Sequence, residues 1–149
     1  FDEYNVFKNK QKLFSHKMEY GTEGPFIQKT IINNEPAFSF RSGCPDEDYF
    51  NCQYEIYYKG EFLSKKYNVK SPNYLFSYKD KLGFITQMDN GKAIYFDGKI
   101  ISNSYNEIHY QNCCAIFELI PSVYDNSVLV FYAKNKGQNY VVEIDLSKN

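Results

Sequence analysis

The residues that could carry out acid and base chemistry are carboxylates spaced along predicted strands. Glycoside hydrolysis needs two carboxyl groups, one acting as general acid and the other as base or nucleophile. Five acidic residues lie on or beside strands and are candidates for such a pair: Glu55, Asp97, Glu107, Glu118 and Glu143. Nothing in their spacing distinguishes them from ordinary solvent-facing strand residues, and His16 and His109 fall outside any nucleophile and base signature. We therefore predict no catalytic residue.

Metal and nucleotide chemistry have equally little support. The acidic run 46–48 supplies oxygen ligands of the kind Ca²⁺ prefers, but it lacks the spaced Asp/Asn-Gly loop of calcium motifs, so a solvated loop is the better interpretation. Cys113 and Cys114, taken together with His109, would lack a fourth zinc ligand. No glycine-rich phosphate-binding loop is present. The prediction is no metal site and no cofactor.

Cys44 and Cys52 bracket an inserted, mainly polar loop. If the flanking strands pair, the two cysteines oppose one another at the base of the loop, where a disulfide can span. The bridge and two free thiols both remain open, because pairing needs suitable geometry and an oxidising compartment. A bridge would favour a secreted or cell-surface location.

The bulk composition excludes some classes of partner. The formal net charge is −1, without the basic surface expected of a nucleic-acid binder. No apolar run approaches the roughly 20 residues of a membrane span, so we predict a soluble chain. Aromatic residues make up 19% of the sequence, as 15 Tyr and 13 Phe, which favours strands and also suits recognition of a protein or glycan.

An internal repeat organises the chain. Residues 57–68 are echoed by residues 95–106 at a constant offset of 38, with Tyr, Gly, Ser, Tyr and Asn coinciding. Upstream, Ala37-Phe38 corresponds to Gly83-Phe84 at an offset of 46, because the first copy carries eight extra residues in the loop that holds the cysteines. Fainter copies lie at both ends of the chain. We therefore divide a single β-repeat domain, 1–149, into a partial repeat 1–24, repeats 25–70 and 71–111, and a partial repeat 112–149.

Each repeat is predicted to contain four short antiparallel strands. In the second repeat, Asn90-Gly91 between residues 82–87 and 92–96 predicts a hairpin with a type I′ turn. Gly60 and Gly98 are predicted to occupy equivalent turns. The predicted strands of the two full repeats are residues 26–30, 37–41, 53–58 and 61–63, and residues 74–78, 82–87, 92–96 and 99–101.

Most large apolar residues are needed for the core, since the chain has few Leu. Most of the following residues are predicted to be core: Phe38, Phe62, Leu82, Phe84, Ile94, Phe96, Ile100, Phe117, Val130 and Val142. Some of the following tyrosines are predicted to be partly exposed: Tyr49, Tyr57, Tyr67, Tyr95, Tyr105 and Tyr110.

The segments Tyr78-Lys79-Asp80-Lys81-Leu82-Gly83-Phe84-Ile85, Asn90-Gly91-Lys92 and Tyr95-Phe96-Asp97-Gly98-Lys99 resemble bacterial WD40-like β-propeller repeats, and residues 121–142 are similar, with Tyr124-Asp125-Asn126-Ser127 in a turn. The resemblance implies an all-β, propeller-like fold that serves as a binding platform, and it assigns no functional residue. Propellers have four to eight blades and this chain supplies about three copies, so we expect a partial or open propeller, a fragment, or closure by oligomerisation.

The predicted function is a non-catalytic binding or protein-interaction module. A carbohydrate-active hydrolase and a structural or assembly subunit that self-associates through open sheet edges are the alternatives. The partner is expected to be a protein or glycan, with no nucleic acid and no membrane span. The predicted binding patch consists of Tyr49 and Phe50 in the inserted loop, with Tyr67 and Tyr105 in equivalent inter-strand segments.

Overall fold

The computed structural model describes residues 2–18, 26–43, 52–109, 121–125 and 127–149. These residues form an all-β fold with one short α-helix, α1 (Leu63–Tyr67), and a terminal 3-10 helix, Leu146–Lys148. The strands are β1 (Asp2–Lys8), β2 (Gln11–Met18), β3 (Phe26–Ile32), β4 (Glu35–Gly43), β5 (Gln53–Tyr58), β6 (Glu61–Phe62), β7 (Lys70–Tyr78), β8 (Lys81–Met88), β9 (Gly91–Phe96), β10 (Lys99–Ile100), β11 (Glu107–Ile108), β12 (Ser122–Tyr124), β13 (Val128–Asn135) and β14 (Gln138–Asp145).

The strands form four antiparallel sheets in two compact units, residues 1–73 and 74–149, and the division falls within β7. Two of the sheets are four-stranded meanders in chain order, β3-β4-β5-β6 and β7-β8-β9-β10. The predicted four-strand pattern is therefore present in both full repeats. The propeller arrangement of these sheets stays a proposal. None of the described residues belongs to a helix long and apolar enough to cross a bilayer.

Two-residue turns with positive φ at both positions join most neighbouring strands. They occur at residues 9–10, 33–34, 59–60, 79–80, 97–98 and 136–137. Two positive φ values mark the type I′ turn, whose twist matches that of the strands it joins. Gly60 and Gly98 take the second position of equivalent turns, with φ of 83° and 89°. This equivalence was predicted.

The predicted hairpin between residues 82–87 and 92–96 is present, but its predicted turn is wrong. Met88 pairs with Gly91, so Asp89 and Asn90 form the turn, and neither has positive φ. Gly91 has a φ of 134° and lies against the backbone of Tyr105, where an added Cβ would come within 2.0 Å of the Tyr105 carbonyl oxygen. Glycine is required there for close approach of two backbones.

The two full repeats share their strand register. In the first, Ala37 pairs with Tyr58 and Phe38 with Tyr57. In the second, the residues at the same repeat positions pair in the same way, Gly83 with Phe96 and Phe84 with Tyr95. The strand that follows also matches, because Tyr57 pairs with Phe62 and Tyr95 with Ile100. The offsets seen in the sequence are thus reproduced in the pairing of the strands.

The repeats diverge after β6 and β10, both of which contain only two residues. Leu63, predicted to end a strand, instead begins α1, and Ile101 lies outside β10. Asn68, the residue that follows α1, caps the helix in the left-handed conformation. In the second repeat the corresponding segment forms no helix and returns to β9, where Tyr105 bridges Lys92.

The sheet that contains β11, β12, β13 and β14 is organised around β13. β12 and β11 pair with its two ends, and β14 pairs with it over eight residue pairs. With the second meander, this sheet contributes the core of the second unit, whose fully buried members include Phe96, Leu129 and Phe131. The core of the first unit is aromatic, with the rings of Phe14 and Tyr57 4.4 Å apart.

Four residues mark the limits of the burial predictions. Of the tyrosines, some of which were expected to be partly exposed, Tyr57 and Tyr95 are buried, whereas Phe62 and Ile100, from the set expected to be mostly core, are 37% and 38% exposed. The reason is that β5 and β9 are inner strands, while β6 and β10 are short strands at the sheet edge. Leu82, Phe84, Ile94 and Phe96 are buried as predicted, Phe38, Val130 and Val142 are half-buried, and Phe117, Tyr49 and Tyr110 lie outside the described residues.

Candidate ligand-binding cleft

An open cleft of about 650 Å³ lies in the second compact unit. Its walls come from the turn between β7 and β8, the segment between β12 and β13, and the terminal 3-10 helix. We call it the serine cleft. Its lining residues are Ser77, Tyr78, Lys79, Val123, Asp125, Ser127 and Ser147.

The first wall is set by the β7–β8 hairpin. Tyr78 is half-buried and packs against the core of this unit, which holds its ring in place. Lys79 occupies the first turn position with a φ of 47°, and its ammonium group lies 5.2 Å from the centre of the Tyr78 ring. A cation near an aromatic ring in this way is stabilised by the negative face of the ring. This wall presents a positive charge beside an aromatic surface.

The second wall lies where the chain turns from β12 into β13. The Ser127 N–H donates to the Tyr124 carbonyl at 3.0 Å, which closes the turn. Asp125 lies within it in the left-handed conformation, with a φ of 46°, which Asp tolerates better than most residues. Its exposed carboxylate is thereby placed in the lining of the cleft.

The third wall is the 3-10 helix, capped by Asp145. Both the N–H and the hydroxyl of Ser147 donate to Asp145 Oδ1, at 2.9 and 2.6 Å. These hydrogen bonds, with a smaller contribution from Lys148, hold the pKa of Asp145 below its usual value. The Ser147 hydroxyl therefore has a fixed direction and keeps lone pairs that can accept a ligand hydrogen bond.

Several polar groups of the serine cleft are unused by the protein. Within the ranges that the structure describes, the hydroxyls of Ser77 and Ser127 and the carboxylate of Asp125 form no hydrogen bond or ion pair. Together they offer hydroxyl donors and acceptors and an anionic acceptor close to a cation and an aromatic ring. Such a set suits a ligand that carries several hydroxyl groups.

No protein-family model, no curated protein and no solved structure matches this chain. Its site must therefore be argued from its own residues. Among the described residues, no three His, Cys, Asp or Glu side chains lie close enough together to hold a metal ion.

The predicted aromatic patch is only partly described by the structure. Tyr49 and Phe50 lie outside the described residues, and Tyr67 and Tyr105 belong to different compact units. Tyr67 is half-buried at the end of α1, with the Lys66 ammonium 5.7 Å from its ring. The patch as a whole stays a prediction.

Tyr105 has a structural role. Its backbone exchanges two hydrogen bonds with Lys92, at 2.6 and 2.8 Å. Its ring packs edge-on to Phe131 at 5.9 Å and lies 6.4 Å from the ring of Tyr140. Tyr105 is partly exposed, as expected of some of the tyrosines. Its ring contacts explain why an aromatic residue stands at this position without a bound ligand.

Cys52 is buried and disulfide-bonded. Cys44, its predicted partner, lies outside the described residues, as do Cys113 and Cys114. The pairing of Cys44 with Cys52 thus stays a prediction.

The strand carboxylates of the sequence analysis are mostly occupied by structural contacts. Glu55 accepts hydrogen bonds from the Ile56 and Ser64 N–H groups and the Ser64 hydroxyl. Asp97 pairs with Lys81 at 2.6 Å, and Glu107 lies 3.9 Å from Lys134. Glu143 is exposed, and Glu118 lies outside the described residues. None of the four described carboxylates lines the serine cleft.

Sequence reasoning missed the serine cleft. The sequence places Tyr78 at the end of a predicted strand and Tyr124 to Ser127 in a predicted turn, both within segments that resemble propeller repeats. The polar, hydroxyl-rich composition of these segments was the one indication of a site in the sequence. The sequence could not predict that the three walls lie together in the fold, because they are widely separated along the chain.

Proposed function

We propose that this chain is a non-catalytic binding module, built from repeated β-hairpins in a propeller-like arrangement, and that the serine cleft holds a glycan. The observation that carries the proposal is the group of unused hydroxyls and one carboxylate that line the serine cleft together with Tyr78. Polar groups left free of protein partners and lining a concave surface are what a specific ligand site requires.

A sugar offers a binding partner for each kind of group in the cleft lining. The Asp125 carboxylate is acceptor-only when ionised and can take hydrogen bonds from two neighbouring sugar hydroxyls. Ser77 and Ser127 can donate to or accept from further hydroxyls, and Ser147, whose hydroxyl donates to Asp145, can accept. The apolar face of a sugar ring can rest against Tyr78, since an aromatic side chain offers a flat surface at low entropic cost.

The hydrolase alternative finds less support in this cleft. Hydrolysis of a glycosidic bond needs two carboxyl groups about 5 to 9.5 Å apart. Asp125 supplies one, and the other described lining residues are hydroxyl, aromatic, cationic or aliphatic. Binding without bond cleavage is therefore the function that this lining favours.

A secreted or cell-surface location fits the proposal. The Cys52 disulfide belongs to an oxidising environment, because reducing compartments keep structural thiols free. Extracellular glycans are accessible to a protein in such a location.

The test is binding of the chain to a glycan array, followed by titration calorimetry with the glycan that binds best. We expect Asp125→Asn to weaken binding by about tenfold, the loss of roughly 1.4 kcal/mol from a charge-assisted hydrogen bond. Glu143→Gln is the matched control, because it removes the same charge from an exposed residue outside the cleft, and it should bind as the wild type does. Equal binding by Asp125→Asn and the wild type would contradict the proposed site.

A further inference from the structure

The outer edge of β14 is a second candidate binding surface. β14 pairs with β13 along its whole length, from the pair Val128–Asp145 at one end to the pair Asn135–Gln138 at the other. No register shift interrupts this ladder. Within the described part of the chain it pairs with no other strand. Tyr140 and Val141 on this strand are 41% and 60% exposed.

The equivalent strand of the preceding repeat, β9, has this edge covered. β10 pairs with Phe96 and Tyr95, and the Ile101 N–H donates to the Ile94 carbonyl at 2.9 Å. Tyr105 closes the remaining end by its bridge to Lys92. β9 is accordingly buried from Ala93 to Phe96, whereas β14 is exposed from Gln138 to Val141.

Local sequence explains why the described chain does not fold back over β14. After β9, Asp97-Gly98 forms a type I′ turn that returns the chain as β10. After β14, the Asp145 side chain caps a 3-10 helix and Leu146 is buried in the core. The Leu146 N–H donates to the Ser127 carbonyl, so residues 146–149 continue beside the start of β13 rather than along the outer side of β14.

In the part of the chain that the structure describes, β14 has none of the usual protections of an edge strand. Natural sheets block such edges with Pro, Lys, a β-bulge or a covering segment. β14 contains neither Pro nor Lys, and its ladder with β13 has no bulge. It is an eight-residue template for β-augmentation.

We propose that the outer edge of β14 pairs, antiparallel, with β14 of a second copy of this chain about a two-fold axis. Charge favours this occupant. Lys136 precedes the strand and Glu143 lies near its far end, both exposed and without an ion pair among the described residues. Antiparallel pairing brings Lys136 of one copy to the same end as Glu143 of the other, twice by symmetry. This surface is independent of the serine cleft.

The test is sedimentation velocity of the full chain over a wide range of concentrations. We expect a concentration-dependent dimer for the wild type and a dimerisation constant at least tenfold weaker for Val141→Lys, since an edge lysine blocks strand addition. Ile31→Lys is the matched control, because Ile31 is 73% exposed on β3, and it should dimerise as the wild type does.

Amide hydrogen exchange identifies the strand involved. Protection within residues 138–145 should rise with protein concentration in the wild type and not in Val141→Lys. Tyr140→Lys serves as a second variant if Val141→Lys does not fold. A monomeric wild type, undiminished dimerisation in the edge variant, or equal loss in Ile31→Lys would overturn the proposal, the last by assigning the contact to β3. A dimer that forms without protection of β14 would overturn it as well.

Discussion

Residues 53–68 and 91–106 are two copies of one sequence pattern that begin alike and end differently. Both start with a strand, β5 or β9, turn through a type I′ pair and enter a two-residue strand, in the same register. The first copy then forms α1, and the second runs without a helix to the Tyr105 bridge. Short hairpins are thus determined locally, while the segment that follows depends on contacts with the preceding strand.

One pair of equivalent positions, Glu55 and Ala93, accounts for much of the difference. Glu55 holds Ser64 at the first turn of α1 by accepting from both its N–H and its hydroxyl. Ala93 has no such group, and Ser102, the counterpart of Ser64, instead accepts directly from the Ile94 N–H at 2.8 Å. The corresponding Ile56 N–H donates to Glu55. The serine at this repeat position therefore stabilises α1 in the first repeat and β9 in the second.

The largest difference in stability between equivalent substitutions is expected at Gly91, whose counterpart in the first copy is Gln53. An alanine Cβ at position 91 would meet the Tyr105 carbonyl at 2.0 Å on a backbone of positive φ. We expect Gly91→Ala to lower the free energy of unfolding by on the order of 3 kcal/mol, measured by urea denaturation. Gln53→Ala changes an exposed side chain and should cost under about 0.5 kcal/mol. Similar losses in the two variants would contradict a specific close approach at Gly91.

The two serines give a smaller, graded test. Ser102→Ala leaves the N–H of fully buried Ile94 without its partner, at a cost of about 1 to 3 kcal/mol. Ser64→Ala removes one hydroxyl hydrogen bond to Glu55 but retains the Ser64 N–H contact, so its cost should be nearer 1 kcal/mol. Urea denaturation of both variants checks this order. A larger loss for Ser64→Ala would show that the helix depends on its serine more than the strand does.

The smallest expected effect concerns His16, in the first compact unit. Burial lowers the pKa of His16, outweighing the opposite effect of its hydrogen bond to the Arg41 backbone, and its ring lies 4.6 Å from that of Phe40. The unfolded chain therefore binds the proton more readily, and the stability contributed by neutral His16 is lost as the pH falls below about 6.5. We expect denaturation midpoints to fall between neutral and mildly acidic pH, by less in His16→Gln than in the wild type. An equal fall in both proteins would assign the pH dependence to other groups.

The sequence predicted those features that depend on neighbouring residues. Gly60 and Gly98 identified two hairpins because few other residues adopt positive φ, and the spacing of the repeats reproduced the strand register. It did not predict α1, which depends on Glu55 contacting Ser64 nine residues away. Nor could it predict the serine cleft, because Tyr78, Asp125 and Ser147 come together only when three separate segments pack.

A binding role for the inserted loop between Cys44 and Cys52 is a separate prediction. If Tyr49 and Phe50 form part of a protein-binding surface, replacing both with Ser should leave the fold intact and weaken capture of that partner. Unchanged capture would remove the loop from the surface. The serine cleft is tested separately, because its described lining residues belong to other segments of the chain.

The most direct test of non-catalytic glycan binding is an NMR titration of the isotope-labelled chain with its best array glycan, with the glycan followed in the same samples. The account predicts shifts centred on the amides of Ser77 to Lys79, Val123 to Ser127 and Ser147, while the glycan stays intact. Shifts confined to residues outside the serine cleft, or cleavage of the glycan that is lost in Asp125→Asn, would contradict it.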